Sequence, residues 1–570
     1  MFRKTSKTVQ FNIFTSPGTL FSGNALKFYE DKTAWHNLFR QQVTMRINES
    51  AFSPLYCSDN GTPNAPVRVL VAMMILKEAE GISDQKLFEN CRYNMLTRSA
   101  IGLLNADDPV PTESTYYLFR KRVNDYAKAG NENLFTVLFA EITQSQCVDF
   151  NVSGKRVRMD SKLLGSNIAW LSRYELVHET LGLFYKQVKE HGEIEQATED
   201  RLNDLLKLEG NKVVYTCTSE EVKSRLEEFG RLIYKILPLF SSSEGTHNQT
   251  LQRVFNEQFK VCENKIVVSR KKEEISTQSV QSPHDTDCNY QNKDGNKVKG
   301  YSINVTESCD EDKDLNLIGQ VDVRTVSTLD VEFFQDDIES VQDVFPEKIE
   351  FVHADGAYHS PDNQTYCKNN KIDFYLHAIQ GAKGRFQFTV LENGERSILD
   401  TKTNQIIESS KLSCKNDITK WRIETVKGYR YFTQKDIDTY LVRKKIAETP
   451  IQTLQFRNNV KATIFQLEYH YSNAKSRYRG LIKHQMWGNI RCLWLNFVRI
   501  LKYLNPTCQR TTNLARYMLK YSSFELYFAF YSFVKAIFTY HIPWSEKIQF
   551  SRGLENRGSR TGLNFVKQTT

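Results

Sequence analysis

Two aspartates, Asp160 and Asp355, are each predicted to lie at the C-terminal end of an apolar strand, in segments 156–164 and 348–355. A single aspartate after a strand is usually a turn residue or a helix cap. Two on neighbouring strands would repel each other unless a cation lay between them. Carboxylate oxygens suit Mg²⁺ or Mn²⁺. The pair therefore predicts a divalent-metal site, and two such ions about 4 Å apart can drive phosphodiester chemistry.

A basic segment late in the chain is a second candidate site. It contains Lys475, Arg477, Arg479 and Lys483, with Tyr478 between the arginines. Such side chains can hold the phosphates of DNA near a scissile bond, and binding would then depend strongly on salt. The alternative is a solvated loop between two helices.

Several other residues invite a functional interpretation that we do not favour. Asp285 and Asp287 lie in a turn before a strand and are expected to be exposed, or else to support the site. His353 and His359 flank Asp355, but a histidine near a carboxylate is more often a hydrogen-bonded structural group than a metal ligand. Trp421 could stack on an unpaired base, although a place in a core is the expected one.

The order of the predicted elements indicates a fold class. Alternation and apolar periodicity predict strands at 156–164, 299–306, 317–326, 348–355 and 372–379, and helices at 331–344, 459–471 and 484–504. This order is typical of an RNase H-like α/β fold, a mixed sheet flanked by helices. In such a core, acids at the ends of separate strands converge, as ligands do in α/β sheets generally.

Other segments add to this core, which spans residues 151–505. Residues 1–150 predict a helical N-terminal domain, whose third helix, from about Thr112, is basic and could bind DNA as in a helix-turn-helix; a plain helical bundle is the alternative. The segment at about 170–280 predicts a helical insertion, and that at about 385–448 a small β insertion. Residues 506–570 predict a helical, basic C-terminal tail.

Charge and cysteine placement narrow the function classes. The chain carries a net charge of +9, and residues 451–570 hold 18 Lys and Arg against 4 Asp and Glu. This uneven placement suggests a polyanion-binding face, and charge alone favours a solvated basic surface about equally. The eleven cysteines form no C-x-x-C pair, so neither a zinc site nor a disulfide scaffold is expected. The most apolar stretch, 524–540, is too short for a bilayer span of about 20 residues. We expect a cytoplasmic protein with no membrane partner.

Six sequence blocks, in this order, resemble bacterial insertion-sequence transposases of the DDE class. They are Pro63–Leu70, Thr115–Arg120, Met159–Ser161, Gln281–Asp287, Ala354–Ser360 and Ser476–Leu481. The resemblance runs from about residue 15 to 504. It implies Mg²⁺-dependent cutting of double-stranded DNA at terminal inverted repeats and strand transfer into target DNA. It also implies a homodimer that bridges two DNA ends and a nucleoid-associated place in a bacterial cytoplasm.

The third catalytic acid departs from the family. Related transposases carry a late helix with Arg, three residues, Glu, six residues and Lys; that spacing falls here on Arg457, Lys461 and Glu468, so the last two charges are exchanged. Arg457 is expected to hold the DNA backbone. Glu468 lies seven residues beyond Lys461, about 10 Å along a helix axis. Either the third acid is lost, or the helix aligns differently and Glu468 is the third catalytic residue beside Asp160 and Asp355.

Three functions follow from these alternatives. The first is a transposase that cuts and joins DNA by two-metal phosphoryl transfer. The second is a catalytically inactive, transposase-derived DNA-binding protein, acting as a repressor or a relic, because Lys461 stands at the acidic position. The third is a nuclease of the same core that releases cut ends without joining them. Restoring glutamate at position 461 separates the first two.

Overall fold

The computed structural model divides the chain into two compact units, Met1–Leu501 and Lys502–Thr570. The residues it describes are 1–5, 12–58, 60–189, 194–240, 245–293, 295–312, 314–379, 381, 384–390, 396–407, 410–412, 420–425, 428–468 and 475–505. The predicted helical tail 506–570 and the end of the predicted helix 459–471 lie outside the described residues.

Helices make up most of the first unit. Those of the N-terminal region are α1 (Pro17–Leu20), α2 (Gly23–Glu30), α3 (Trp35–Gln42), α4 (Val67–Glu80), α5 (Asp84–Tyr93), α6 (Met95–Ile101), α7 (Glu113–Lys128) and α8 (Leu134–Phe150). Those that follow are α9 (Arg173–Val188), α10 (Gln196–Leu206), α11 (Gly210–Thr216), α12 (Ser219–Ile236), α13 (Thr246–Gln258), α14 (Asp330–Gln342), α15 (Pro361–Asn370), α16 (Gln434–Glu448), α17 (Ile451–Gln455), α18 (Asn458–Leu467) and α19 (Leu481–Leu504).

Among the described residues, the strands form one large sheet and three small ones. They are β1 (Arg156–Gly165), β2 (Phe259–Val261), β3 (Val267–Ser269), β4 (Asn289–Lys293), β5 (Asn296–Ser308), β6 (Ile318–Thr325), β7 (Phe351–Ala354), β8 (Asp373–Leu376), β9 (Phe386–Val390), β10 (Arg396–Asp400), β11 (Gln405–Ile407), β12 (Ser410–Leu412), β13 (Lys420–Thr425) and β14 (Gly428–Thr433).

The large sheet is mixed, as the sequence predicts. Its order is β4-β5-β1-β7-β8, and β6 also pairs with β5. Strands β1, β7 and β8 are parallel, whereas β5 is antiparallel to β1, β4 and β6. All five strands predicted for the core are present, with ends shifted by a few residues. The short edge strand β4 was not predicted.

The two faces of the sheet carry different layers. On one face, Ile303 and Val305 of β5 share a core with Trp487 and Leu493 of α19, which lies so close that a Cβ on Gly488 would come within 3.2 Å of the side chain of Val321. On the other face, α14 and α15 cover a second core. Because successive side chains of a strand point to opposite faces, each residue of β1 is assigned to one layer.

The helical N-terminal region is confirmed, and its helices begin where capping residues stand. The Thr112 side chain accepts the backbone N–H of Thr115 at the start of α7, as expected of an N-cap. Helix α4 is buried around almost its whole circumference, which explains its continuous apolar run. These helices share their core with α19 and the sheet. Among the described residues, no helix is both long and apolar enough to cross a membrane.

The two insertions differ in their internal organisation. Helices α9–α13 surround a hydrophobic core of their own, and the short hairpin β2–β3 closes it. The β insertion consists of two three-stranded sheets and ends at Thr433. Residues 434–448 form helix α16, so the expectation of β structure up to 448 is wrong there. Helix α16 buries only Ile437, which left too weak a periodicity for a helix to be predicted.

Candidate functional site

The two aspartates lie at the same level of neighbouring parallel strands. Arg156, Val157 and Arg158 of β1 stand opposite Phe351, Val352 and His353 of β7. Continuing this register brings Asp160 beside Asp355 on the same face, and adjacent strands are only about 4.8 Å apart. Asp160 lies within β1, not at its end as predicted, whereas Asp355 directly follows β7.

The turn after Asp355 is tightly fixed. The Asp355 side chain accepts the backbone N–H of Gly356 at 2.6 Å and caps a short 3-10 helix that begins there. A Cβ on Gly356 would lie 1.7 Å from the carbonyl oxygen of Ala378, closer than any two non-bonded atoms can approach. Only glycine therefore fits after Asp355, and the carboxylate is held in place by its own turn.

Arg457 joins the two carboxylates. Its Nη2 atom lies 3.3 Å from Asp160 Oδ1 and 2.6 Å from Asp355 Oδ2, so the two oxygens can be no further apart than the sum of these distances. The arginine side chain is buried, and it enters from the residue just before α18. The structure thus brings together three of the predicted site residues, with a protein cation between the acids.

The charge balance at Asp160 explains its acidity. Burial raises the pKa of Asp160 and the nearby Asp355 raises it further, while Arg457 and Lys461 act in the opposite direction. The net pKa is above the ordinary value for aspartate. Lys461 therefore lies close enough to act on this carboxylate by its charge. Lys461 thus brings a second cation to the acid pair.

Glu468 points elsewhere along β1. Its Oε2 atom lies 3.5 Å from Nζ of Lys162, and burial raises its pKa. Lys162 is two residues beyond Asp160 on the same face of the strand, and two residues along a strand span roughly 6.6 Å. Glu468 thus faces the next position on β1, in keeping with its place at the far end of α18.

These side chains do not fit a centre of two divalent ions. Each Mg²⁺ takes six oxygen ligands in near-octahedral geometry, and here two carboxylates face the cationic groups of Arg457 and Lys461. Within the described part of the chain, no three His, Cys, Asp or Glu side chains are grouped to hold a metal ion. The donor set is one acid short, and its negative charge is already balanced by the protein.

Glu307, a buried carboxylate that was not predicted from the sequence, stabilises the surroundings of this site. Glu307 of β5 stands opposite Arg158 and binds its Nε atom at 2.6 Å. The same carboxylate binds Arg499 of α19 at 2.6 Å and accepts the hydroxyl of Thr463 of α18 at 2.7 Å. Burial raises the pKa of Glu307, but the two arginine charges outweigh it and the pKa is lowered. A charged residue within a strand that is otherwise buried was the feature of the sequence that could have pointed to Glu307.

The predicted basic segment makes contacts within the chain. Lys475 Nζ donates to the Ile168 carbonyl at 2.8 Å, and Arg479 Nε donates to the Asn167 carbonyl at 2.7 Å. The Tyr478 hydroxyl donates to Glu78 of α4, within the N-terminal helical region. These side chains connect that region to the sheet, whatever else they bind.

Lys483 has a different environment. Burial lowers its pKa, and the charges of Lys128 and Arg120 of α7 lower it further. The lysine therefore lies among cations from the predicted DNA-binding helix. The charge of Asp285 acts in the opposite direction, and that of Arg479 lowers the pKa of Lys483 further.

Asp285 is buried, contrary to the expectation of solvent exposure. It accepts hydrogen bonds from the hydroxyls of Ser166 and Tyr301 and, at 3.0 Å, from the backbone N–H of Gly480. Asp287 accepts the backbone N–H of Leu481 at 3.2 Å. The two acids fix the loop that carries the basic segment, so they support its position.

His353 and Trp421 have structural surroundings, as expected. His353 Nε2 accepts a 2.9 Å hydrogen bond from Arg156 Nη1, and its ring stacks on Tyr375 with 5.0 Å between the ring centres. Burial and the charges of neighbouring arginines lower its pKa to about 3. Trp421 is buried in the core of the β insertion.

Comparison with known proteins identifies one part of the chain. Residues 29–122, from α2 to α7, match a family model described as Transposase domain (DUF772). This match confirms the predicted resemblance to insertion-sequence transposases over those residues. The chain matches no curated protein and no solved structure.

Proposed function

We propose that this chain, with its transposase domain at residues 29–122, binds the ends of a mobile DNA element on an RNase H-like core but cuts them poorly, if at all. The observation that carries the proposal is the single Arg457 guanidinium shared by Asp160 and Asp355. Two acids from strands far apart in the chain lie close together, which supports a site for phosphoryl transfer, yet a cation lies between them.

The sheet supports the RNase H-like part of this proposal. Three antiparallel strands in chain order, β1, β5 and β6, continue through β1 into the parallel strands β7 and β8. Helix α18 then brings Arg457 and Lys461 to the acid pair. This is the order of elements that the sequence predicted for the family's catalytic domain.

The third position supports the loss of cleavage. A glutamate at 461 would add a carboxylate to the pair and remove a positive charge beside Asp160. Mg²⁺ or Mn²⁺ would then meet three acids, a donor set suited to these hard cations. In the natural chain, we propose that Asp160 and Asp355 bind such ions weakly. Double-stranded DNA at terminal repeats and a second copy of the chain remain the proposed partners.

Substitution of Lys461 tests the proposal. The substrate is a plasmid that carries the DNA flanking this chain's own gene, incubated with full-length protein and Mg²⁺. Lys461→Glu should cut this DNA at least tenfold faster than the natural chain, because it supplies the missing ligand. Lys461→Gln is the matched control, since it removes the charge without adding a carboxylate.

The outcomes separate the candidate functions. If Lys461→Glu cuts and Asp160→Asn abolishes that cleavage, the chain is a transposase impaired at one position. If the natural chain cuts as fast as Lys461→Glu, and Glu468→Ala abolishes the activity, Glu468 is the third acid and the proposal is wrong. Cutting without joined products would indicate a nuclease. Binding of the flanking DNA without cutting by any variant would leave the inactive DNA-binding protein.

A further inference from the structure

A large cleft opens beside the acid pair. Its volume is about 1630 Å³, and its walls come from the second half of β1, strand β4, the start of β5, and helices α15 and α16. Ser161 and Lys162, directly after Asp160, line it, as do Gly356 and Ala357, directly after Asp355. A linear polymer bound in this cleft would therefore reach the two aspartates.

The cleft is strongly basic. Its described lining includes seven lysines and two aspartates, Asp330 and Asp438. Lysines from five separate segments of the chain thus converge on one concave surface. Such a surface concentrates positive potential and attracts a polyanion.

Three of these lysines have no acid to neutralise them. Lys297 of β5, Lys368 of α15 and Lys435 of α16 are exposed and form no ion pair within the described part of the chain. Other lysines of the lining are engaged, for example Lys162 with Glu468 and Lys293 with Asp330. The three free ammonium groups come from different elements of the cleft lining, β5, α15 and α16, and are available to contact phosphates of one strand.

An exposed tryptophan lies in the same cleft. Trp170 has 55% of its surface exposed. Lys299 Nζ lies 5.1 Å from the centre of its ring and Tyr290 packs against it edge to face at 6.5 Å, so the ring is held in place. Exposing a large aromatic ring to water is unfavourable unless it is later covered. In a basic groove, an unpaired base is the partner that covers it best.

We propose that this cleft binds single-stranded DNA next to the acid pair, with a base stacked on Trp170 and the backbone held by Lys297, Lys368 and Lys435. A duplex keeps its bases stacked on one another and offers none to the ring. The substrate is thus DNA with an unpaired segment at the cleavage site. This inference rests on the proposed function, because it names the form of DNA that the same site takes.

Binding to the full-length natural chain tests the inference. The probes are a fluorescent 20-nucleotide oligothymidylate and a 20-base-pair duplex. Trp170→Ala should weaken binding of the single strand about tenfold, which is typical for one lost base stack, and leave duplex binding unchanged. Trp170→Phe should retain most of the affinity because it keeps a ring. Thermal melting of each variant checks that the fold is intact.

A lysine series completes the test. Lys297→Gln, Lys368→Gln and Lys435→Gln together should lower the slope of log affinity against log salt for the single strand by about 2, since each lost phosphate contact removes about 0.7. The matched control combines Lys207→Gln, Lys223→Gln and Lys348→Gln, exposed lysines outside the cleft.

Each result decides the question. The inference is overturned if Trp170→Ala weakens duplex and single strand equally or leaves both unchanged, or if the control triple lowers the slope as much as the cleft triple. Cleavage by Lys461→Glu with no effect of Trp170→Ala would overturn this inference alone. The expected strand binding, with no cleavage by Lys461→Glu, would overturn only the cleavage part of the proposed function.

Discussion

Glu307 Oε1 lies 2.6 Å from Arg158 Nε across the pairing of β1 and β5, and the glutamate side chain is completely buried. The same carboxylate binds Thr463 of α18 and Arg499 of α19. Arg158 is two residues from Asp160, and Thr463 is two residues from Lys461. The position of α18 relative to the acid pair therefore depends on this ion cluster.

Loss of the Glu307 charge should destabilise the protein strongly. Glu307→Gln leaves two buried arginines without a counter-charge, and breaking such a buried pair costs about 3–5 kcal/mol. Urea unfolding measures the loss. Glu132→Gln, at an exposed position before α8, is the control and should change the free energy of unfolding by less than about 0.5 kcal/mol. Equal stability of the two variants would show that the cluster does not hold α18.

Tyr478→Phe tests whether this tyrosine joins two parts of the chain or contacts DNA. Its hydroxyl donates to Glu78 in the transposase domain, and hydrogen bonds to charged groups contribute about 1.5–3 kcal/mol. We expect a lower melting temperature and an unchanged salt dependence of DNA binding. A smaller salt slope with unchanged stability would instead make Tyr478 part of the DNA contact.

Lys483→Gln should weaken DNA binding through the salt-dependent term. Burial and the charges of Lys128 and Arg120 lower its pKa, although Asp285 raises it, and a phosphate would relieve the repulsion among the cations. Removing one phosphate contact to duplex DNA lowers the salt slope by about 0.9. Binding titrations between low and physiological salt measure it. Because the substitution also removes repulsion among cations, stability should rise slightly; a fall would point to a structural role.

His353 predicts a loss of stability in acid. Its pKa falls from 6.5 in a free imidazole to about 3 here, through burial and the charges of Arg156 and Arg158. Between these two pH values the unfolded chain binds a proton at His353 that the folded chain does not bind. The contribution of His353 to the free energy of unfolding is therefore complete above about pH 6.5 and is lost as the pH falls toward 3. Unfolding free energies at pH 7.5 and 5.5 should differ, and His353→Gln should reduce the difference by up to about 1.4 kcal/mol. An unchanged difference would contradict the assignment.

The sequence was sufficient for what depends on strand pattern and order. Alternation located β1 and β7, and parallel pairing then brought Asp160 and Asp355 together, because equivalent positions on adjacent strands are neighbours. The exchanged charges at 461 and 468 were also visible, since one helix fixes their spacing.

The sequence was insufficient for what depends on three-dimensional partners. Charges at 475 and 479 were evident, but their carbonyl partners Ile168 and Asn167 come from a distant segment. The burial of Asp285 likewise depends on Tyr301 and Gly480, which no local pattern connects to it. The cleft lysines are scattered among acidic and neutral neighbours along the chain, so no basic run indicated them.

Because helices α9–α13 have a separate core, the length of this insertion can vary without disturbing the sheet. These helices are inserted between β1 and the rest of the sheet, and they bury their apolar surface among themselves. The cost of closing a loop grows only slowly with its length, so the spacing between Asp160 and Asp355 in the sequence can vary widely at little thermodynamic cost. Relatives with a much shorter or longer insertion can therefore keep the same juxtaposition of acids, and sequence distance is a poor guide to whether a chain retains it.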